Sequence, residues 1–146
     1  MGKKDSYEFL KITPEVWKRD YEHNARLSVF GEITEADKAR IDYALLCVYQ
    51  RELCIYATVR EFHADHAYLC FGGSFPNVRG NTQVVREAFL SLIDWLFSNG
   101  YDQITFHTKN TNYKMQRLSM HAGFVCVGTS TTPKHILLEY NLVKGE

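Results

Sequence analysis

A chain of 146 residues with 45% hydrophobic side chains is long enough to bury one substantial core, and with no linker, repeat or low-complexity tract residues 1–146 read as a single domain. Lys plus Arg number 17 and Asp plus Glu 17, so no global field exists to recruit nucleic acid or an acidic membrane. No segment approaches a membrane span, and Met1-Gly2-Lys3-Lys4-Asp5 lacks an apolar targeting core, which predicts a cytoplasmic location.

Tyr7 to Ile12 alternates as a first strand. Thr13-Pro14-Glu15 then opens a helix, with Thr13 as cap, Pro14 at the first helical position and Glu15 in the first turn. Trp17 and Tyr21, four apart, share one face of it. Gly31 breaks the chain, and Thr34-Glu35-Ala36-Asp37 opens a second short helix by the same capping logic. Three apolar, β-favouring runs follow: Tyr43 to Gln50, Leu53 to Phe62 and Ala67 to Phe71. Joins this short cannot make a parallel crossover, so the three form an antiparallel meander. Gly72-Gly73 ends the third run, and paired glycines there predict a bulge or a close approach of ligand to backbone.

The loop from Phe75 to Gln83 has no acidic residue and runs straight into a long apolar helix, about Asn81 to Ser98. Unpaired amides at such a helix start, reinforced by the macrodipole, make a seat for a phosphate. Val85, Ala88, Phe89, Leu92 and Leu96 form its apolar stripe, leaving a narrow polar face at Glu87, Ser91, Asp94 and Ser98, so the helix packs on the sheet. Asn99-Gly100 stops it, and a strand from Gln103 to Thr108 implies a parallel crossover. A further helix begins near Asn112, turns Met115, Leu118 and Ala122 inward, and ends at Gly123-Phe124. Val125 to Gly128 and Ile136 to Leu142 make a final hairpin. The order β-α-α-β-β-β-α-β-α-β-β predicts an α/β (α+β) fold, a mixed, mostly antiparallel central sheet of about seven strands with helices on both faces. Its ligand cleft falls at Gly72 to Thr82, beyond the carboxyl end of the fourth strand.

Cys47, Cys54, Cys70 and Cys126 lie in strand-like runs without C-x-x-C spacing and read as small buried hydrophobes in a reducing compartment. His63, Asp65 and His66 read as a polar turn, since no further ligands follow at a useful spacing, and no metal is expected. His107 reads as a satisfied strand histidine.

This element order, with Pro76-Asn77-Val78-Arg79-Gly80 between the fourth strand and the long helix, resembles the GNAT superfamily of acyl-CoA-dependent N-acetyltransferases, small bacterial or phage-encoded members among them. The family's pyrophosphate loop, Gln/Arg-x-x-Gly-x-Gly/Ala, compares with Arg79-Gly80-Asn81-Thr82-Gln83-Val84, where Arg79 matches and Thr82 and Val84 replace small residues. Its Asn, Leu-Tyr, Gly-Phe signature compares with Asn112, Leu118-Ser119 and Gly123-Phe124, with Ser119 in place of the Tyr.

The resemblance implies that the amides of Gly80, Asn81, Thr82, Gln83 and Val84 hold the pyrophosphate of acetyl-CoA as co-substrate. The pantetheine arm would lie along Ser74, Phe75 and Val78, with Asn112 reaching it from the other side. It implies transfer of an acetyl group to a primary amine, on a small molecule or on a protein lysine or N-terminus. The alternative is a weak or inactive relative that binds acetyl-CoA or a protein partner. Some GNAT enzymes carry a basic Glu in strand four. Tyr68 occupies the comparable position here, with Glu61, His63, Asp65 and His66 nearby. The oxyanion would meet an amide at a Gly73 to Ser74 bulge, and Ser119 stands where the family's acid would be, with Tyr113 or a water as substitutes. The exposed edge of the last hairpin suits pairing with a second copy.

Overall fold

The computed structural model describes residues 7–22, 41–78 and 80–145. The helix predicted at Thr34 to Asp37 and the residue Arg79 lie outside them. Strand β1 (Tyr7–Ile12) leads to α1 (Pro14–Asp20), where the Thr13 side chain accepts from the Val16 amide at 3.2 Å as the N-cap. Strands β2 (Tyr43–Tyr49), β3 (Glu52–His63) and β4 (His66–Ser74) form the meander. The β2–β3 hairpin turns on Gln50 and Arg51, both at positive φ (52° and 69°), the geometry that lets a two-residue loop follow the strand twist. A short 3-10 turn (Pro76–Val78) precedes α2 (Thr82–Ser98), followed by β5 (Gln103–Lys109), α3 (Tyr113–His121), β6 (Val125–Thr131) and β7 (Ile136–Val143).

The strands build one sheet in the order β1-β2-β3-β4-β5-β7-β6, in which the β4–β5 pair is parallel and its other neighbours run antiparallel. Period-two alternation sends the sheet's side chains into two cores. Leu45, Ala57, Val59, Ala67, Ile104 and Phe106 meet Ala88, Phe89, Leu92 and Leu96 of α2. On the opposite face Ala44, Leu46, Tyr56 and Phe75 enclose Trp17 of α1, which is fully buried. Burying an aromatic of that size stabilises the α1 side by about 2–3 kcal/mol.

Three expectations are corrected. Strand β4 does not end at Gly72 but runs on to Ser74, because a glycine lets the strands stay close: a Cβ on Gly72 would sit 2.9 Å from the Tyr56 carbonyl oxygen. The bulge is not at Gly73 but at Cys70, since Thr58 pairs with Phe71 while Val59 pairs with Leu69. Cys126 is also no core residue. It is exposed, because β6 is an edge strand.

Candidate active site

Strands β4 and β5 pair from His66↔Gln103 to Leu69↔Phe106 and then part, although β4 continues to Ser74 and β5, still paired with β7, continues to Lys109. The separation begins one residue before the Cys70 bulge completes its kink, so the bulge supplies the physical cause. From Gly72 to Ser74 the edge of β4 that faces β5 therefore has no ladder. A cavity of about 640 Å3 occupies the fork. Gly72 and Gly73 of β4, Val85 and Phe89 of α2, and Asn112 and Met115 of α3 line one end. Arg60, Phe62, Tyr68 and His107 line the other. Because Phe89 packs against Val59, Leu69 and Phe106 while Tyr68 and His107 have the opposite parity on their strands, the cavity opens to both faces of the sheet.

At the start of α2, Asn81 is the N-cap: its Oδ1 accepts from the Val84 amide at 3.2 Å, and its carbonyl accepts from Val85 at 3.1 Å. The Asn81 amide itself donates to the Val78 carbonyl at 2.9 Å. Thr82 and Gln83 donate their amides to no acceptor among the described residues, and both are exposed. The anion seat expected across Gly80 to Val84 is thus narrower at its helical end: the Val84 amide is taken by the chain's own cap.

Facing away from α2, register brings a polar row together. Tyr68 lies opposite Thr105, which places His107 two residues on along the same face, within diagonal reach. Tyr68 Oη and His107 Nδ1 are 2.6 Å apart. His107 in turn faces its cross-strand partner Glu139, with Nε2 and Oε1 3.6 Å apart. A carboxylate on the Nε2 side favours the tautomer with the proton on Nε2, so Nδ1 accepts from the Tyr68 hydroxyl. Phe62 stacks on the Tyr68 ring at 4.9 Å, and the Arg60 guanidinium lies 5.9 Å from its centroid. Nearby, Thr105 spends its one hydroxyl proton on Asn141 Oδ1 at 2.8 Å, so it accepts from His66 Nε2–H at 2.8 Å. Burial, then repulsion from His63, pulls the His66 pKa below its ordinary value.

Of the residues expected to do chemistry, Tyr68 lies in the cavity and two others do not. Glu61 shares the parity of Val59, so it points to the α2 face, where the Tyr101 hydroxyl donates to it at 2.5 Å. Tyr43 completes that buried chain, 2.8 Å from Tyr101, and burial pushes its pKa up to about 12. Ser119 is wholly buried and donates to the Met115 carbonyl at 2.6 Å, a bond back to its own helix that leaves no proton for the cleft. Tyr113 is 64% exposed and outside the cavity wall. Asn112 lines the cavity while its Oδ1 caps α3 through the Met115 amide at 3.1 Å. Ser74 and Phe75 are buried, Phe75 with its ring in the α1-side core and its amide on the Cys54 carbonyl, and with Val78 they fall outside the cavity wall. Glu139 and Arg60 were missed by sequence reasoning, which read His107 only as a satisfied strand histidine. The parity shared by Tyr68, Thr105 and His107 carried the signal, but only once the β4–β5 register is known.

No group of three or more metal-ligating side chains occurs among the described residues, and no helix there is long and apolar enough to cross a membrane. No protein-family model and no curated protein matches the chain in sequence. Solved structures do match in shape. An IAA acetyltransferase from Bacillus cereus superposes with TM-score 0.70 at 8% identity, covering 94% of this chain and 99% of its own. A GNAT family acetyltransferase from Elizabethkingia anophelis with acetyl-CoA bound gives TM-score 0.71 at 9% identity, over 95% and 99% of the two chains. The ribosomal-protein-S18-alanine N-acetyltransferase from Escherichia coli gives 0.67 at 16%, over 94% and 93%. The chain has the fold of the GNAT acetyltransferases.

Proposed function

We propose that the chain transfers an acetyl group from acetyl-CoA to a primary amine. The observation that carries this reading is the fork between β4 and β5, a cavity walled by Val85 in the first turn of α2 and by Phe89 on one side of the sheet and by the Tyr68–His107 pair on the other. Acetyl-CoA would set its diphosphate on the Thr82 and Gln83 amides, run its pantetheine past Gly72, Gly73 and Asn112, and deliver its thioester through the fork. An alkyl ammonium near pKa 10.4 is neutral only about once in a few thousand molecules at pH 7. A proton acceptor is therefore required. Tyr68 supplies it by taking the ammonium proton as its own moves to His107 Nδ1, with Glu139 facing the imidazolium that forms. The amine nitrogen then bonds the thioester carbon, the C–S bond breaks, and the stored proton returns through Tyr68 to the thiolate. The second ammonium proton leaves to water.

This relay answers the loss of an acid at Ser119. The second reading, a binder without turnover, is favoured by the Asn81 cap on Val84. Calorimetry with acetyl-CoA, followed by thiol release in the presence of amines, separates them: binding with amine-dependent release supports transfer, binding without release supports the binder, and absence of binding removes both.

A further inference from the structure

Resting on the transfer reading above, we infer that the amine acceptor is an arylalkylamine, with its amino group at the end of an alkyl chain, and that Phe62 selects its ring. Of the large hydrophobic side chains exposed among the described residues, Leu10 and Val125 lie on the two edge strands, and Tyr113 and Met120 lie on α3. Single exposed apolar residues of that kind are ordinary. Phe62 differs from them: it is 45% exposed and alone among them lines the cavity, beside the Tyr68–His107 pair. An aromatic ring left open in the wall of a binding cavity is the surface that an apolar ligand body covers.

Position ties that ring to the acceptor. Phe62 lies at the β3 irregularity between Glu61 and His63, and its ring is stacked on Tyr68, with centroids 4.9 Å apart and planes 23° from parallel. It meets His66 in an edge contact at 5.2 Å. Tyr68 takes one face of the Phe62 ring, and the exposure leaves the other to the cavity. The cofactor's pantetheine enters from the α2 side, so the ligand that reaches this face is the acceptor. A ring in contact there, at about 5 Å between centroids, lies two ring layers from Tyr68. An amino group bonded directly to that ring would fall short of Tyr68 Oη, whereas one on a chain of a few carbons reaches it. Leu137, two residues before Glu139 on β7, adds apolar surface on the same face. Among the described residues the wall contains Lys109 and Lys134 and no Asp or Glu, so the second ammonium of a polyamine would meet like charge.

The test measures acetyl-CoA-dependent thiol release with 4-phenylbutylamine, n-butylamine and 1,4-diaminobutane, on wild type, Phe62→Ala and Phe62→Trp. The expected result in wild type is kcat/KM at least about tenfold higher for 4-phenylbutylamine than for either aliphatic amine. In Phe62→Ala the ratio of phenylbutylamine to butylamine should fall about tenfold, mostly through the acceptor KM, and Phe62→Trp should keep it. The ratio isolates selection, because any loosening of Tyr68 acts on both amines alike. In wild type, 4-phenylbutan-1-ol should compete with n-butylamine at a concentration at least about tenfold lower than butan-1-ol does, a readout that holds even if the variants fold poorly. Equal or better use of the aliphatic amines overturns the inference and leaves the transferase reading standing. So does an equal loss for all amines in Phe62→Ala, which would reduce Phe62 to a brace for Tyr68. Binding of acetyl-CoA with no amine consumed removes both.

Discussion

Replacing Tyr68 by Phe deletes one oxygen and keeps the ring that Phe62 stacks on at 4.9 Å, so the relay loses its hydroxyl while the ring packing stays. The lost hydroxyl donates to His107 Nδ1 at 2.6 Å, from a ring 8% exposed. His107 is 33% exposed at its side chain, so water reaches the orphaned nitrogen and the stability cost stays near that of one ordinary hydrogen bond, about 1 kcal/mol. The rate should suffer far more. Positioned acid–base catalysis contributes about 10²- to 10⁴-fold, or roughly 3–5 kcal/mol of barrier, and here one hydroxyl both accepts the ammonium proton and returns it to sulfur. Steady-state thiol release with a saturating amine should therefore show kcat down by about 10²-fold or more, with the acetyl-CoA KM within about twofold of wild type. His107→Gln should act in the same direction, and the double variant should lose little beyond either single one, since the two act as a unit. A Tyr68→Phe enzyme with wild-type kcat would refute the relay.

Asn81→Gly should cost only a few tenths of a kcal/mol as a cap while freeing the Val84 amide, so calorimetry should find acetyl-CoA bound at least as tightly; Asn81→Asp keeps the cap but faces the diphosphate with a carboxylate and should weaken binding about tenfold. Gly72→Ala puts a methyl 2.9 Å from the Tyr56 carbonyl oxygen, and urea unfolding should show about 1–3 kcal/mol of lost stability, with weaker cofactor binding as β3 and β4 shift. His66 has a folded pKa below its ordinary 6.5, so the unfolded chain takes up the proton first. The His66 contribution is intact above about pH 6.5 and is lost as pH falls through the depressed value; the urea midpoint should drop across that window, less so in His66→Gln.

The fold was legible where local chemistry repeats itself. Thr13-Pro14-Glu15 announced α1, short joins dictated the meander, and the long apolar helix with Asn81 and Asn99 at its ends left little choice for α2. The end of β4 was not legible, because a glycine pair signals both a strand stop and a close backbone approach, and the Tyr56 carbonyl that decides between them lies in another strand. Catalytic candidates divided on the same principle. Tyr68 and Glu61 are equally polar and close in sequence, and only the parity set by the β3–β4 bulge sends one to the cleft and the other to Tyr101. Ser119 was read by position in a motif, whereas its hydroxyl is spent on its own helix. His107 looked satisfied and is: its partner, Tyr68, is what gives it a role.

A structure determined with acetyl-CoA tests the central claim most directly, since every step depends on the β4–β5 fork receiving the thioester. The account predicts density from the Thr82 and Gln83 amides, past Gly72, Gly73 and Asn112, to an acetyl group within reach of the Tyr68 hydroxyl. Density on another surface, or a fork left empty at saturating acetyl-CoA, would contradict it.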